Sequence, residues 1–187
     1  MNKPFIILMS GLPASGKTTA AAQFIEWYNA SIYDSLCTIV SRDNIRFQIL
    51  KATDPNFNIS QPYDTKKYFS QEQKVFDIFM HSIKNNISFG FNVIADATHI
   101  DYYSRIKVYN ALEELKNKVD IFLWIIETPK AECLKRNKIR IGVTRVPRSS
   151  ILSLFNSKEY PTTKEQQSYI KAVFINKSIY KYDWRNN

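Results

Sequence analysis

Only two cysteines occur, Cys37 and Cys133, with no C-x-x-C pair and no cysteine and histidine cluster around either. That excludes a disulfide framework and a zinc site of ordinary spacing, and predicts two reduced, mostly buried thiols. No apolar run approaches the roughly eighteen residues that a membrane-spanning helix needs. The short one after Lys3 runs straight into a loop and does not read as a signal peptide. Internal repeats and low-complexity tracts are missing as well. These absences predict a cytoplasmic protein with no membrane partner, in the host cytoplasm if the chain is phage-encoded. Glycine is scarce too, at four positions in 187 residues, and two of the four lie within one eight-residue stretch.

That stretch is Gly11-Leu12-Pro13-Ala14-Ser15-Gly16-Lys17-Thr18, the pattern G-x-x-x-x-G-K-[S/T]. Before it, Phe5 to Met9 reads as a buried parallel strand; after it, Thr19 to Tyr28 reads as an alanine-rich helix. A loop that wraps a phosphate turns its backbone N–H groups inward, and glycines at both ends supply the dihedral freedom. Lys17 adds a point charge for the β- and γ-phosphates, Thr18 a hydroxyl for Mg²⁺, and the helix its positive end. Gly11, Ala14, Ser15, Gly16, Lys17, Thr18 and Thr19 are therefore the expected nucleotide-binding residues, with ATP as the nucleotide.

The rest of the chain alternates strand and helix. Thr38 to Val40 reads as a second strand, and Ser41 to Arg46 as the start of a helix at its carboxyl end, which places Asp43 and Arg46 near the phosphates. Lys51 to Asp64 reads as a loop over one edge of the site. Phe69, Phe76, Met80, Ile83 and Ile87 recur at helical spacing, so Thr65 to Ile87 is expected to be one long helix. Tyr68 and His81 on it are given no role beyond packing or surface. Phe91 to Asp96 is a third strand ending in an acid, followed by a helix over Asp101 to Lys118 and a fourth strand over Ile121 to Ile126. Pro129 can open a helix over Ala131 to Ile139. Further helices are expected over Ser149 to Asn156 and Lys164 to Tyr169, with a fifth strand over Lys171 to Ile175. The pattern predicts a single α/β domain over 1–187: a three-layer sandwich of the P-loop kinase type, with an approximately five-stranded parallel sheet and helices on both faces.

Residues 135–148 hold Lys135, Arg136, Lys138, Arg140, Arg145 and Arg148 without one acid. Following the fourth strand, this run is placed to act as a lid over a triphosphate. The tail, 178–187, mixes Lys181 and Arg185 with Tyr180, Tyr182 and Trp184; such residues can stack on bases or cover the sheet edge, and the second is the favoured reading. The formal net charge of +9 favours a polyanionic partner such as nucleic acid.

Phosphoryl transfer needs a Mg²⁺ site, a group to orient the attacking hydroxyl, and positive charge on the transferring oxygens. Thr18 and Asp96 are the expected metal ligands, with Asp96 acting directly or through water. Asp43 is the candidate to accept the hydroxyl proton as the bond to phosphorus forms. Arg136 and Arg140, one helical turn apart, supply the charge. Arg46, three residues after Asp43, is placed to grip a phosphate on the acceptor.

Gly11 to Thr18, Ser41-Arg42-Asp43-Asn44-Ile45-Arg46, Val93-Ile94-Ala95-Asp96-Ala97-Thr98, Leu134-Lys135-Arg136-Asn137-Lys138-Ile139-Arg140 and Val146-Pro147 follow the order seen in phage-type polynucleotide 5′-kinases. The chain resembles that family over roughly residues 4–155. The resemblance implies that Asp43 is the general base and that Arg46 contacts the acceptor phosphate. It makes Lys17, Asp43 and Arg140 the catalytic set, with Arg140 stabilising the transferring group. Arg42, Arg46, Asp96 and Thr98 are the expected acceptor-side residues. Two features depart from the family: Thr98 stands where relatives often carry Asn, and no D-x-D-x-T phosphatase motif is present, so 3′-phosphatase activity is not expected. His99 is either a structural residue or part of the acceptor pocket.

The leading expectation is thus an ATP-dependent kinase of a DNA or RNA 5′-hydroxyl. The alternatives are a kinase of hydroxymethyl-pyrimidine bases in DNA, for which Tyr102 and Tyr103 leave room, a nucleoside or small-molecule kinase, and a nucleotide-gated module without transfer.

Overall fold

The computed structural model describes residues 3–31 and 35–176. Strands β1 (Phe5–Ser10), β2 (Cys37–Ser41), β3 (Asn92–Asp96), β4 (Asp120–Ile126) and β5 (Ala172–Asn176) form one sheet in the order β2-β3-β1-β4-β5. Every pairing is parallel, with Ile7 beside Ile94 on one side and Phe122 on the other. The sandwich expected from the sequence is the fold observed.

Side chains alternate between the two faces with the period of two that a strand imposes. Ile6, Leu8, Val93 and Leu123 meet one helical layer, including Val75, Phe79 and Ile83. Ile7, Met9, Ile94 and Trp124 meet the other, including Ala21 and Phe24. Because both faces are covered, the central strands read as unbroken apolar runs rather than alternating ones. Cys37 and Cys133 are free and buried, and burial pushes the Cys37 thiol up to about 12.

The helices are α1 (Lys17–Ser31), α2 (Arg42–Thr53), α3 (Thr65–Tyr68), α4 (Glu72–Ser88), α5 (Tyr102–Ala111), α6 (Lys130–Lys138), α7 (Arg148–Asn156) and α8 (Thr163–Ser168). Short polar side chains set their starts: Ser41 caps α2, Asp64 caps α3, and Asp101 and Ser104 form a reciprocal capping box on α5. No helix among the described residues is long and apolar enough to cross a membrane.

Two expectations are corrected here. The single helix over 65–87 is two, broken at Phe69 to Gln71. The buried face of α4 is Val75, Phe79, Met80, Ile83 and Ile87, and Phe69 is 44% exposed. The break turns Tyr68 into a small cluster with Leu50 and Val143, away from the sheet. The helix over 101–118 ends at Ala111, followed by a 3-10 turn at Glu113–Leu115. Tail residues 178–187 lie outside the described residues.

The segment after α7 is fastened by a fully buried ion pair. Arg105 Nε donates to Glu165 Oε1 at 2.6 Å and its Nη2 to Oε2 at 3.2 Å. Tyr109 Oη donates to the same Oε1 at 3.0 Å, and Arg105 Nη1 also donates to the Glu159 carbonyl at 2.9 Å. Each buried charge is satisfied, which is the condition for tolerating it.

Candidate active site

Leaving β1, the chain must reverse within a few residues, and it does so with positive φ at Gly11 (152°), Ala14 (64°) and Gly16 (98°). A Cβ at Gly11 would lie 2.8 Å from the Ile126 carbonyl oxygen, so no larger residue fits. Gly11 N–H donates to the Thr98 carbonyl at 3.3 Å, and Thr128 Oγ1 donates to the Ser15 carbonyl at 2.7 Å. The loop is thereby tied to the ends of β3 and β4. Lys17 Nζ donates to the carbonyls of Gly11 and Leu12, both at 2.9 Å, and retains one further N–H. Thr18 and Thr19 lie exposed on the first turn of α1.

Thr18 Oγ1 donates to Asp96 Oδ2 at 2.8 Å. These two oxygens suit a magnesium ion, which takes one or two protein ligands and completes its shell with phosphate and water. Among the described residues no cluster of three or more acids, histidines or cysteines offers a self-contained metal cage. Burial raises the Asp96 carboxyl, against the Thr18 hydrogen bond and Lys17. Enclosure lowers Lys17, opposed by Asp96 and then Asp43, and reinforced by Arg140. Four groups expected to act together thus share one electrostatic neighbourhood.

On the acceptor side, Asp43 projects from the first turn of α2 with its side chain 67% exposed. Its Oδ1 receives Arg46 Nη1 and, at 2.9 Å, Tyr68 Oη. Its Oδ2 accepts no hydrogen bond from the described residues. One carboxylate oxygen is therefore pinned and the other presented. Arg46 differs from expectation. Its side chain is 5% exposed, and besides Asp43 it donates to Glu72 Oε2 from Nη2 (2.8 Å) and Nε (3.3 Å). Its Cζ lies 4.6 Å from the Tyr68 ring centre and 5.2 Å from that of Phe69. A guanidinium this enclosed requires paired carboxylates, and it finds them inside the protein rather than on a ligand. Arg42 likewise donates to Glu72 Oε1 at 2.5 Å.

Tyr68 and Glu72 were missed in the sequence. Tyr68, given no role there, holds the candidate base; Glu72 bridges two arginines and, together with Asp43, balances their charge. The available signal was charge balance: Arg42 and Arg46 share a helical face, and their only nearby acid in sequence is Asp43.

In the basic segment, Arg136 Nη1 lies 3.6 Å from where a Cβ on Gly16 would sit, over the phosphate loop, and Glu132 holds its Nε at 2.9 Å. Arg140 is exposed and donates to the Thr144 carbonyl at 3.4 Å. Asn137 braces the turn through both amide atoms, donating to the Val146 carbonyl (2.7 Å) and accepting from Val146 N–H (3.1 Å). The segment is also docked on the loop before α3: Val143 N–H donates to the Ile59 carbonyl at 3.0 Å. Gly142 (φ 56°) approaches so closely that a Cβ would overlap that carbonyl oxygen and lie 2.6 Å from Ser60 Cα.

His99 sits behind the site, buried, at φ 31°. Its Nδ1 bonds the Met9 carbonyl at 3.0 Å, so Nδ1 carries the proton of the neutral ring. Burial pushes its pKa down to about 4, with Arg42 the foremost of the cations adding to that. This is a structural histidine beside the site, not a lining residue. Thr98 is half-buried, and its carbonyl accepts the Gly11 N–H. Tyr102 and Tyr103 are exposed at the start of α5.

A parallel sheet of order 2-3-1-4-5, a phosphate loop after β1 and an acid closing β3 define a P-loop kinase-like nucleotide-binding fold. The family model AAA_33, described as an AAA domain, matches residues 6–156, and the chain belongs to that family. Among solved structures, Kti12 of Chaetomium thermophilum in complex with ADP-AlF3 is similar with a TM-score of 0.64 at 17% identity, over 97% of this chain and 90% of that one. The APS kinase CysC of Mycobacterium tuberculosis in complex with AMPPNP and APS gives 0.61 at 16%, over 96% and 92%. A chain of the Pnkp1/Rnl/Hen1 RNA repair complex gives 0.60 at 21%, over 84% of this chain and 44% of that chain, so the present chain spans less than half of that relative. At such identities the likeness is one of fold. Comparison with curated protein sequences finds no match.

Proposed function

We propose that the protein transfers the γ-phosphoryl group of ATP to a hydroxyl of nucleic acid, specifically a 5′-hydroxyl end of DNA or RNA. The observation that carries this reading is Asp43, with one oxygen fixed by Arg46 and Tyr68 and the other open, within the field of Lys17. A carboxylate so held is placed to take the proton of an attacking alcohol.

As the alcohol oxygen bonds to the γ-phosphorus, its proton passes to Asp43 Oδ2. The bond from phosphorus to the β,γ-bridging oxygen breaks, and ADP leaves with that electron pair. The backbone N–H groups of Gly16 to Thr19, at the start of α1, and the Lys17 ammonium hold the β- and γ-phosphates. Arg136 and Arg140 face the same phosphates from the lid, where a planar guanidinium binds oxygens in pairs. Thr18 and Asp96 would hold Mg²⁺, which when bound offsets charge on the phosphate oxygens. Arg46 acts on the acceptor through Asp43, by orienting the carboxylate, and Arg42 and Thr98 are assigned to the acceptor side. The basic net charge and the sequence resemblance to polynucleotide 5′-kinases favour a nucleic acid.

A second reading, a small-molecule alcohol as acceptor, is favoured by the internal pairing of Arg42 and Arg46 with Glu72, which draws both arginines of α2 toward the protein rather than toward an acceptor phosphate. An acceptor panel with γ-labelled ATP separates the two. It should contain 5′-hydroxyl DNA and RNA, end-blocked hydroxymethyluracil DNA, nucleosides and sugars. Label on 5′-hydroxyl ends supports the first reading. Label only on nucleosides or sugars sinks it, and ATP binding without transfer to anything leaves a binding module.

A further inference from the structure

Phe69 is misplaced for a residue of its kind. Helical spacing puts it on the apolar face with Phe76 and Met80, yet it is 44% exposed. The break between α3 and α4 swings it away from the sheet and onto the acceptor side of the site. There its ring meets Tyr68 edge-on, with centroids 5.0 Å apart at 82°. The same ring stands 5.2 Å from Arg46 Cζ, and Arg46 Nη1 is bound to Asp43. An exposed aromatic is thus locked from behind by a tyrosine and a guanidinium, one side chain removed from the candidate base. Both supports are themselves immobilised: Tyr68 is buried in the Leu50 and Val143 cluster, and Arg46 is held by two carboxylates.

We propose that Phe69 is a specificity-determining residue: its exposed ring stacks against the nucleobase of the acceptor's 5′-terminal nucleotide and so places the adjoining 5′-hydroxyl at Asp43 Oδ2. The inference rests on the nucleic-acid reading above. Three observations select a base as the occupant. The platform is a flat π surface, which every base matches irrespective of sequence. The arginine against it, Arg46, is already paired with two carboxylates within the protein, so the spot attracts a ring more than a phosphate. Its neighbour is the carboxylate that needs the hydroxyl, and in a nucleotide the base and the 5′-oxygen are held together by one sugar. Arg46 behind the ring draws π-electron density toward itself, which favours stacking of an electron-rich base on the outer face.

Stacked bases commonly lose 5- to 150-fold in binding when the ring is truncated to alanine. Phe69→Ala should therefore raise the acceptor KM on a 5′-hydroxyl oligonucleotide by about that factor while leaving the ATP KM unchanged. Phe69→Leu keeps apolar volume without the π surface and should behave like the alanine variant. Phe69→Trp should retain or tighten acceptor binding. The decisive comparison is an oligonucleotide whose 5′-terminal sugar carries no base: wild type should bind it as weakly as the variants do, and the penalty of Phe69→Ala on it should vanish. Equal penalties on normal and abasic ends would overturn the proposal and make the ring a prop for Arg46. If wild type labels no nucleic-acid end but labels a small alcohol, the parent reading fails and this one falls with it, an outcome distinct from the first.

Discussion

Asp43→Asn isolates a single atom. Arg46 Nη1 and Tyr68 Oη both donate to Oδ1. An asparagine can satisfy them only by putting its carbonyl oxygen at that position. Its amide nitrogen then replaces Oδ2, the one oxygen open to an alcohol, with a group that donates and cannot take a proton. General-base assistance is commonly worth ~10²–10⁴ in rate, so kcat should drop by that factor, equivalent to about 3–5 kcal/mol of barrier. Stability should barely change, because Asp43 is 67% exposed and Arg46 keeps Glu72; a loss below ~1 kcal/mol is expected for such an exposed partner. Asp43→Ala is the contrasting variant. It strands Arg46 Nη1 and Tyr68 Oη and should destabilise by a further ~1–3 kcal/mol. Initial rates of label transfer from γ-labelled ATP, ATP titration calorimetry and urea denaturation measure the three quantities. Full transfer by the asparagine variant, or an ATP affinity that falls in step with kcat, would refute the assignment of Oδ2.

Tyr68→Phe removes a hydrogen bond to a charged acceptor, of the kind worth ~1.5–3 kcal/mol; it should lower kcat about tenfold or more with the ATP KM unchanged, and an unchanged kcat would detach Tyr68 from the site. Arg105→Ala strands the fully buried Glu165 and should cost ~3–5 kcal/mol in urea denaturation, most of it recovered when Glu165→Leu is added to Arg105→Met; a loss below ~1 kcal/mol would show that water replaces the guanidinium. Between pH 6.5 and about 4 the unfolded chain protonates His99 and the folded one does not, so unfolding free energy rises with pH there, with a slope approaching ~1.4 kcal/mol per pH unit from this group. His99→Asn, a residue tolerant of positive φ, should flatten that slope in denaturation at pH 4.5, 5.5 and 7; identical slopes would mean the ring is protonated in the fold.

Strand and helix alternation, and the loop from Gly11 to Thr18, were legible because each rests on neighbours in sequence: buried strands are apolar runs, and phosphate cradles need glycine where φ is positive. The ends of β3, β4 and α6 came within a residue or two for the same reason. What escaped was set by contacts between distant segments. The break at Phe69 cannot be seen in a periodicity that continues past it; it follows from Tyr68 reaching Asp43 and Glu72 reaching Arg42 and Arg46, 25 to 30 residues apart. Arg46 was legible as a residue near Asp43 but not as a buried one, since burial of a guanidinium depends on where Glu72 and two rings arrive. His99 shows the same limit, because its partner, Met9, lies 90 residues away.

The crossover from β2 to β3, residues 42–91, carries Asp43, Arg46, Tyr68, Phe69 and Glu72 together, whereas the phosphate cradle comes from residues 11–19. On the function proposed above, every residue assigned to the hydroxyl compound on this crossover lies in one continuous stretch of the gene, separate from the stretch that encodes the phosphate loop. Gly142 sets the boundary condition on changes to that crossover: any replacement stretch must still offer a groove shallow enough for a residue without a side chain to lie against its backbone.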